Sequence, residues 1–228
     1  MRSMSDALRQ PFIDRREAGA VLAQQLRHYA YRSDAIVLAL PRGGVPIGYE
    51  VATLLGLRLD VFPVRKLGVP GQPELAMGAI APGGVRVLNA DLVSRFGIPD
   101  RSVDVVSDAE IRELDRWEQL YRNNQPPLEL RAQIAILTDD GLATGSSMRA
   151  AVQAARQLGA SRIVVATPVG AREVSRAFAQ IADEVICARQ PARFHAVGQW
   201  YLNFPETTDA DVTELLSRAR QALAAMHP

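Results

Sequence analysis

Short apolar runs of strand length recur along the chain, at residues 35–40 (AIVLAL), 59–64 (LDVFPV), 134–138 (IAILT), 162–167 (RIVVAT) and 184–188 (EVICA). The first is apolar throughout, so both its faces must be buried, and it is too short to be a core-crossing helix. Helical spacing of apolar residues follows at 46–55, 146–158 and 171–181. Repeated strand-then-helix units make neighbouring strands parallel and place helices over both faces of the sheet. The expected fold is therefore α/β, a doubly wound parallel five-stranded sheet.

The segments between these units read differently. Residues 12–31 carry Ala18, Val21, Leu22, Leu26 and Tyr29 at helical spacing, with Asp14 placed to cap the start. Residues 65–84 are too rich in glycine and proline for a long helix and predict a flexible loop or hairpin. Residues 89–131 interrupt the alternation as a helical insertion, where Ser107 and Glu110 have the spacing of a capping box ahead of Ile111, Leu114, Trp117, Leu120 and Tyr121. Residues 189–208 break the pattern again, and 209–226 closes as an alanine- and leucine-rich helix. One domain, 1–228, with an insertion is the simplest count.

Composition narrows the function classes. A formal net charge of +1 gives no general basic field for nucleic acid or an anionic membrane. No apolar run reaches the roughly 20 residues needed to span a bilayer, and the start of the sequence lacks the apolar stretch of a signal peptide, so a cytoplasmic protein is expected. Cys187, the only cysteine, sits in an apolar run and is expected to pack rather than react.

The chemistry concentrates in Ile134 to Ser147, IAILTDDGLATGSS. A buried strand ends in two carboxylates, Asp139 and Asp140, which can accept hydrogen bonds from sugar hydroxyls. Small residues then open a helix, where backbone amides and the helix dipole suit a phosphate. The basic residues carry a second sign, for 25 of the 26 are arginine and Lys66 is the only lysine. A compact ammonium and a planar guanidinium do not interchange at a crowded polyphosphate. A third sign is the turn Leu40-Pro41-Arg42-Gly43-Gly44 after the first strand.

Residues 134–147 resemble the phosphoribosyl-pyrophosphate (PRPP) signature of type I phosphoribosyltransferases, and the chain as a whole looks closest to uncharacterised stand-alone bacterial members. The resemblance implies that Asp139 and Asp140 hold the ribose hydroxyls, and that Ala143, Thr144, Gly145, Ser146 and Ser147 hold the 5′-phosphate. The LPRGG turn resembles the pyrophosphate loop, which implies that Arg42, Gly43 and Gly44 face the leaving group, with a cis bond expected between Arg42 and Gly43. Residues 65–84 resemble the family's flexible catalytic loop, which implies catalytic roles for Arg65 and Lys66 beside the acidic pair, with Lys66 on the pyrophosphate. Glu74 is read as a solvated carboxylate of that loop. If both turns face one ligand, the first and third core strands must be neighbours, giving order 2-1-3-4-5 with the site at their carboxyl ends.

The implied reaction is displacement of pyrophosphate from the anomeric carbon by a nitrogen acceptor, with Mg2+ bound mainly through PRPP and water and no protein metal cage. Residues 189–208 are the candidate hood over the acceptor, with Phe194, Trp200 and Tyr201 as stacking candidates and His195 for the base edge; packing is the expected role of two of the three aromatics. Position 143 is Ala where the hypoxanthine-guanine branch usually has an aspartate, which counts against a 6-oxopurine. The adenine and orotate branches tolerate a neutral residue there but match the insertion and hood poorly. Analogy with the family makes a homodimer an expectation. The competing class is a regulator that senses PRPP or a nucleotide without turnover.

Overall fold

The computed structural model describes residues 10–122 and 125–226. Its elements run α1 (Arg15–Gln25), β1 (Ala35–Ala39), α2 (Gly44–Leu55), β2 (Arg58–Val61), β3 (Arg65–Val69), β4 (Gln72–Ala81), β5 (Val85–Leu88), α3 (Ala90–Arg95), α4 (Asp100–Arg122), β6 (Ile134–Thr138), α5 (Ser146–Gln157), β7 (Arg162–Val169), α6 (Arg172–Phe178), β8 (Glu184–Arg189) and α7 (Asp209–Met226).

Five strands form a parallel sheet in the order β2-β1-β6-β7-β8, which is the order 2-1-3-4-5 expected from the sequence. Every residue of β1 and β6 is buried. Alternation along β1 divides the core in two. Ala35 and Val37 pack with Leu22 of α1, Leu26 just past its end, and Ile47 and Val51 of α2. Ile36 and Leu38 pack with Ala151, Val152 and Ala155 of α5 and with Phe178 of α6. Each fully buried leucine or valine here is worth about 1.5–3 kcal/mol relative to exposure, so a one-residue slip of β1 would exchange its two buried sets. The Asp14 side chain caps α1 by accepting from the Glu17 amide at 2.9 Å, and a 3-10 turn, Arg27–Tyr29, replaces the last predicted helical turn.

The segment 65–84 is a hairpin rather than a loop. β3, β4 and β5 form a separate antiparallel sheet, with Gly71 at φ +79° in the tip between β3 and β4. The Glu74 side chain lies outside the described residues. Helices α3 and α4 cover this sheet and share a core of their own: Leu67, Val69, Met77, Ile80, Ile98, Val103 and Leu114.

The expected capping box at Ser107 and Glu110 does not exist. Helix α4 already starts at Asp100, and Ser107 is buried in its interior with its hydroxyl donating to the Val103 carbonyl at 2.7 Å. A serine can satisfy itself on the preceding turn, and burying Val103 and Val106 against the hairpin extends the helix two turns upstream. Farther along α4, Tyr121 joins Val45, Val61, Val212 and Leu216 in a cluster that ties the insertion to α7, and its hydroxyl donates to Asp209 at 2.6 Å. Among the described residues no helix is long and apolar enough to cross a membrane.

Candidate active site

The pairing of β1 with β6 sets two turns side by side at the carboxyl end of the sheet. Leu40 donates its amide to the Thr138 carbonyl at 2.9 Å, and Gly44 donates to Leu40 at 3.0 Å. Glycine is required where these turns touch. A Cβ on Gly44 would lie 2.6 Å from the Thr138 carbonyl oxygen and 2.9 Å from the Asp139 Cα, both backbone atoms. A Cβ on Gly43 would lie 2.3 Å from Asp140 Oδ2. The turn contains a non-proline cis peptide, but at Pro41–Arg42, one bond earlier than the Arg42–Gly43 bond expected from the sequence.

The two aspartates are held differently. Asp139 accepts the Asp140 amide on Oδ1 at 2.8 Å. Asp140 Oδ2 accepts from Arg15 twice, from Nε at 3.1 Å and Nη2 at 2.9 Å, and both side chains are mostly buried. Arg15 is the first residue of α1. Its remaining Nη1 donates to the Pro205 carbonyl at 2.7 Å, and its guanidinium lies 3.8 Å from the centre of the Phe204 ring. Tyr201 donates its hydroxyl to the Asp140 carbonyl at 2.6 Å. Burial raises the Asp139 carboxyl well above the usual range, and the neighbouring Asp140 charge raises it further. Burial also raises Asp140, against the pull of Arg15.

Beyond the aspartates, Ala143, Thr144, Ser146 and Ser147 are exposed, and Thr144 and Ser146 bond to each other at 3.1 Å. Gly145 has φ +71° and begins α5, so amides at the amino end of this helix border the exposed turn.

Two cavities are lined by residues of these turns. One, about 330 Å³, is lined by Leu40, Pro41, Arg65, Lys66, Asp139 and Ser147 together with Glu110 and Trp117 of α4. The other, about 550 Å³, is lined by Arg15, Arg42, Gly43, Asp140, Phe204 and Glu206, among others. Their linings divide between Pro41 and Arg42 on one turn and between Asp139 and Asp140 on the other. Arg42 lines the second cavity, where it pairs with Glu206 and approaches Asp209 at 3.6 Å. A larger cavity, about 720 Å³, opens at the amino ends of β1 and β2 beside Tyr31, Arg58 and Leu223, and none of the predicted site residues lines it.

None of the three candidate stacking aromatics lines either cavity. Tyr201 is buried against Phe12 with ring centres 5.7 Å apart, while Phe194 and Trp200 are half-buried against the same core. His195 is exposed. The aromatic in the second cavity is Phe204, covered on its ring by Arg15 and stacked on Tyr201 at 4.8 Å. Arg15, Glu110, Phe204 and Glu206 were not singled out for the site from sequence. Nothing in their local spacing marks them, since each reaches the site from another element.

Sheet order, the paired acids and the glycine that opens α5 together define a type I phosphoribosyltransferase fold. The chain belongs to the phosphoribosyl transferase domain family, whose model matches residues 15–197. A Mycobacterium tuberculosis protein provisionally named a phosphoribosyl transferase is 46% identical over 213 residues, covering 93% of this chain and 48% of that protein. The chain thus spans about half the length of the curated relatives it matches. The crystal structure of TT1426 from Thermus thermophilus is similar with a TM-score of 0.83 at 39% identity, covering 92% of this chain and 99% of that one. The AQ2163 protein from Aquifex aeolicus, at 10% identity and a TM-score of 0.50 over 89% of this chain and 84% of its own, shares the fold alone.

Proposed function

We propose that the protein transfers the 5-phosphoribosyl group of PRPP to a nucleobase or related nitrogen acceptor and releases pyrophosphate. The observation that carries this reading is the acidic pair at the boundary of two cavities, with Asp139 lining the one that holds Arg65 and Lys66 and Asp140 lining the other. Ribose bound across the two aspartates has its pyrophosphate toward Arg65 and Lys66 and its open face toward the second cavity. The C1–O bond to pyrophosphate breaks as the C1–N bond forms, and the acceptor nitrogen gives its proton to the departing pyrophosphate or to solvent. Arg65 and Lys66 take up charge growing on the leaving group, while the carboxylates favour the cationic ribosyl centre. The exposed turn 143–147 at the start of α5 binds the 5′-phosphate.

Among the described residues no cluster of three or more His, Cys, Asp or Glu gathers as a metal cage. The hard carboxylate oxygens of Asp139 beside the first cavity nevertheless fit Mg2+ that arrives on the diphosphate with most of its shell from PRPP and water. When bound, the ion neutralises diphosphate charge. The reading suits a cytoplasmic enzyme, where PRPP and its acceptors meet. The test is pyrophosphate release by purified protein with PRPP, Mg2+ and a panel of purine, pyrimidine and other nitrogen acceptors. Release with one acceptor class supports transfer, whereas PRPP binding without release from any acceptor turns the assignment to a sensor.

A further inference from the structure

Arg65 stands on β3 at the edge of the first cavity, and the insertion helix holds it from two directions. Glu110 accepts its Nε at 2.7 Å, and its guanidinium carbon lies 5.1 Å from the centre of the Trp117 ring. Both partners line the same cavity as Lys66 and Asp139. Positions 110, 114 and 117 share one face of α4, because residues three and four apart stack along a helix. Leu114 is buried in the core shared with Leu67 and Met77 of the hairpin, so the helix is anchored between the two residues that touch Arg65.

A guanidinium is a planar fork, useful to a polyphosphate only when the plane is set. Here a carboxylate takes the Nε edge and an indole ring lies against the guanidinium carbon. We propose that Glu110 and Trp117 are positioning residues that orient Arg65 toward the departing pyrophosphate, so that the helical insertion completes the anion site. This rests on the phosphoribosyl-transfer reading. A purely electrostatic role for Glu110 has the opposite consequence, since removing its negative charge would then tighten binding of an anion.

A double-mutant cycle separates these roles. In the wild-type background, Glu110→Ala and Trp117→Ala each lower kcat about tenfold and weaken pyrophosphate binding, measured by calorimetry with Mg2+, several-fold, whereas the KM for PRPP changes less. Glu110→Gln keeps an acceptor for Nε and recovers part of the loss. In an Arg65→Ala background neither alanine change has a further effect. Equal losses with and without Arg65 would mean a structural role and overturn the proposal, as would tighter pyrophosphate binding or unchanged kinetics in Glu110→Ala. Turnover by the wild type without coupling between Glu110 and Arg65 sinks the proposal and leaves transfer standing. Pyrophosphate binding that depends on both residues, without turnover of any acceptor, sinks transfer and leaves the positioning role intact.

Discussion

Asp139 is a residue whose presence costs the folded state. Its carboxyl is raised by burial first and by the Asp140 charge second, so the folded protein holds that proton more tightly than the unfolded chain does. The sign follows directly: this contribution to stability is full below the ordinary carboxylate range and is lost as pH rises through the elevated folded value. Asp139→Asn should therefore abolish transfer while raising Tm at neutral pH and flattening the fall of stability above the carboxylate range, as thermal melts across pH would show. Arg15 works against the same burden at Asp140. Arg15→Met leaves that carboxylate buried without its partner and should cost about 3–5 kcal/mol by denaturant unfolding, much of it recovered when Asp140→Asn is added. Residues of this kind divide sharply in how readable they are. The aspartates and the glycines of both turns announce themselves, since their neighbours in sequence supply the strand end and helix start that give them meaning. Arg15 is one of 25 arginines, and only the fold brings it 125 positions along the chain to Asp140.

Among the elements, the parallel strands and their helices were legible because each carries a local pattern and each buries it where the pattern directs. β6 and α7 occupy the spans expected of them, 134–138 and 209–226. The insertion was legible only as helical. Its true start was hidden because Ser107 looks like a cap in sequence yet bonds within the helix, and the hairpin it covers draws Val103 into a core. Glycine-rich sequence at 65–84 left a flexible loop or a hairpin open, and antiparallel pairing beneath two covering helices forms the hairpin. That order is tied to function in a testable way. Met77→Ala opens a cavity between hairpin and insertion and should cost about 2–5 kcal/mol locally. It should also reduce kcat by misplacing Arg65 and Lys66, although Met77 lines neither cavity at the site.

Across the whole molecule, stability is divided between the sheet with its two buried faces and the smaller core of the hairpin and insertion. The smaller core has fewer buried apolar side chains, so it should open more readily than the centre of the sheet. Hydrogen exchange should show amides of β3, β4 and α4 exchanging together and ahead of β1 and β6, with added pyrophosphate and Mg2+ slowing the first group selectively. Uniform exchange across both regions would contradict this division.

The placement of the aspartates on the boundary of two chambers also bears on inhibition. On the proposed reading a diphosphate mimic and an acceptor mimic meet different lining residues, so each should bind without displacing the other. Only a compound that crosses the boundary between Asp139 and Asp140 occupies both, and it must carry a sugar-like centre with hydroxyls to pass the carboxylates. Selectivity in such a compound would come from its acceptor half, where Arg42 and Glu206 meet Phe204. Potency would come from the half that reaches Arg65, where a helix inserted into the sheet fold has become part of the wall.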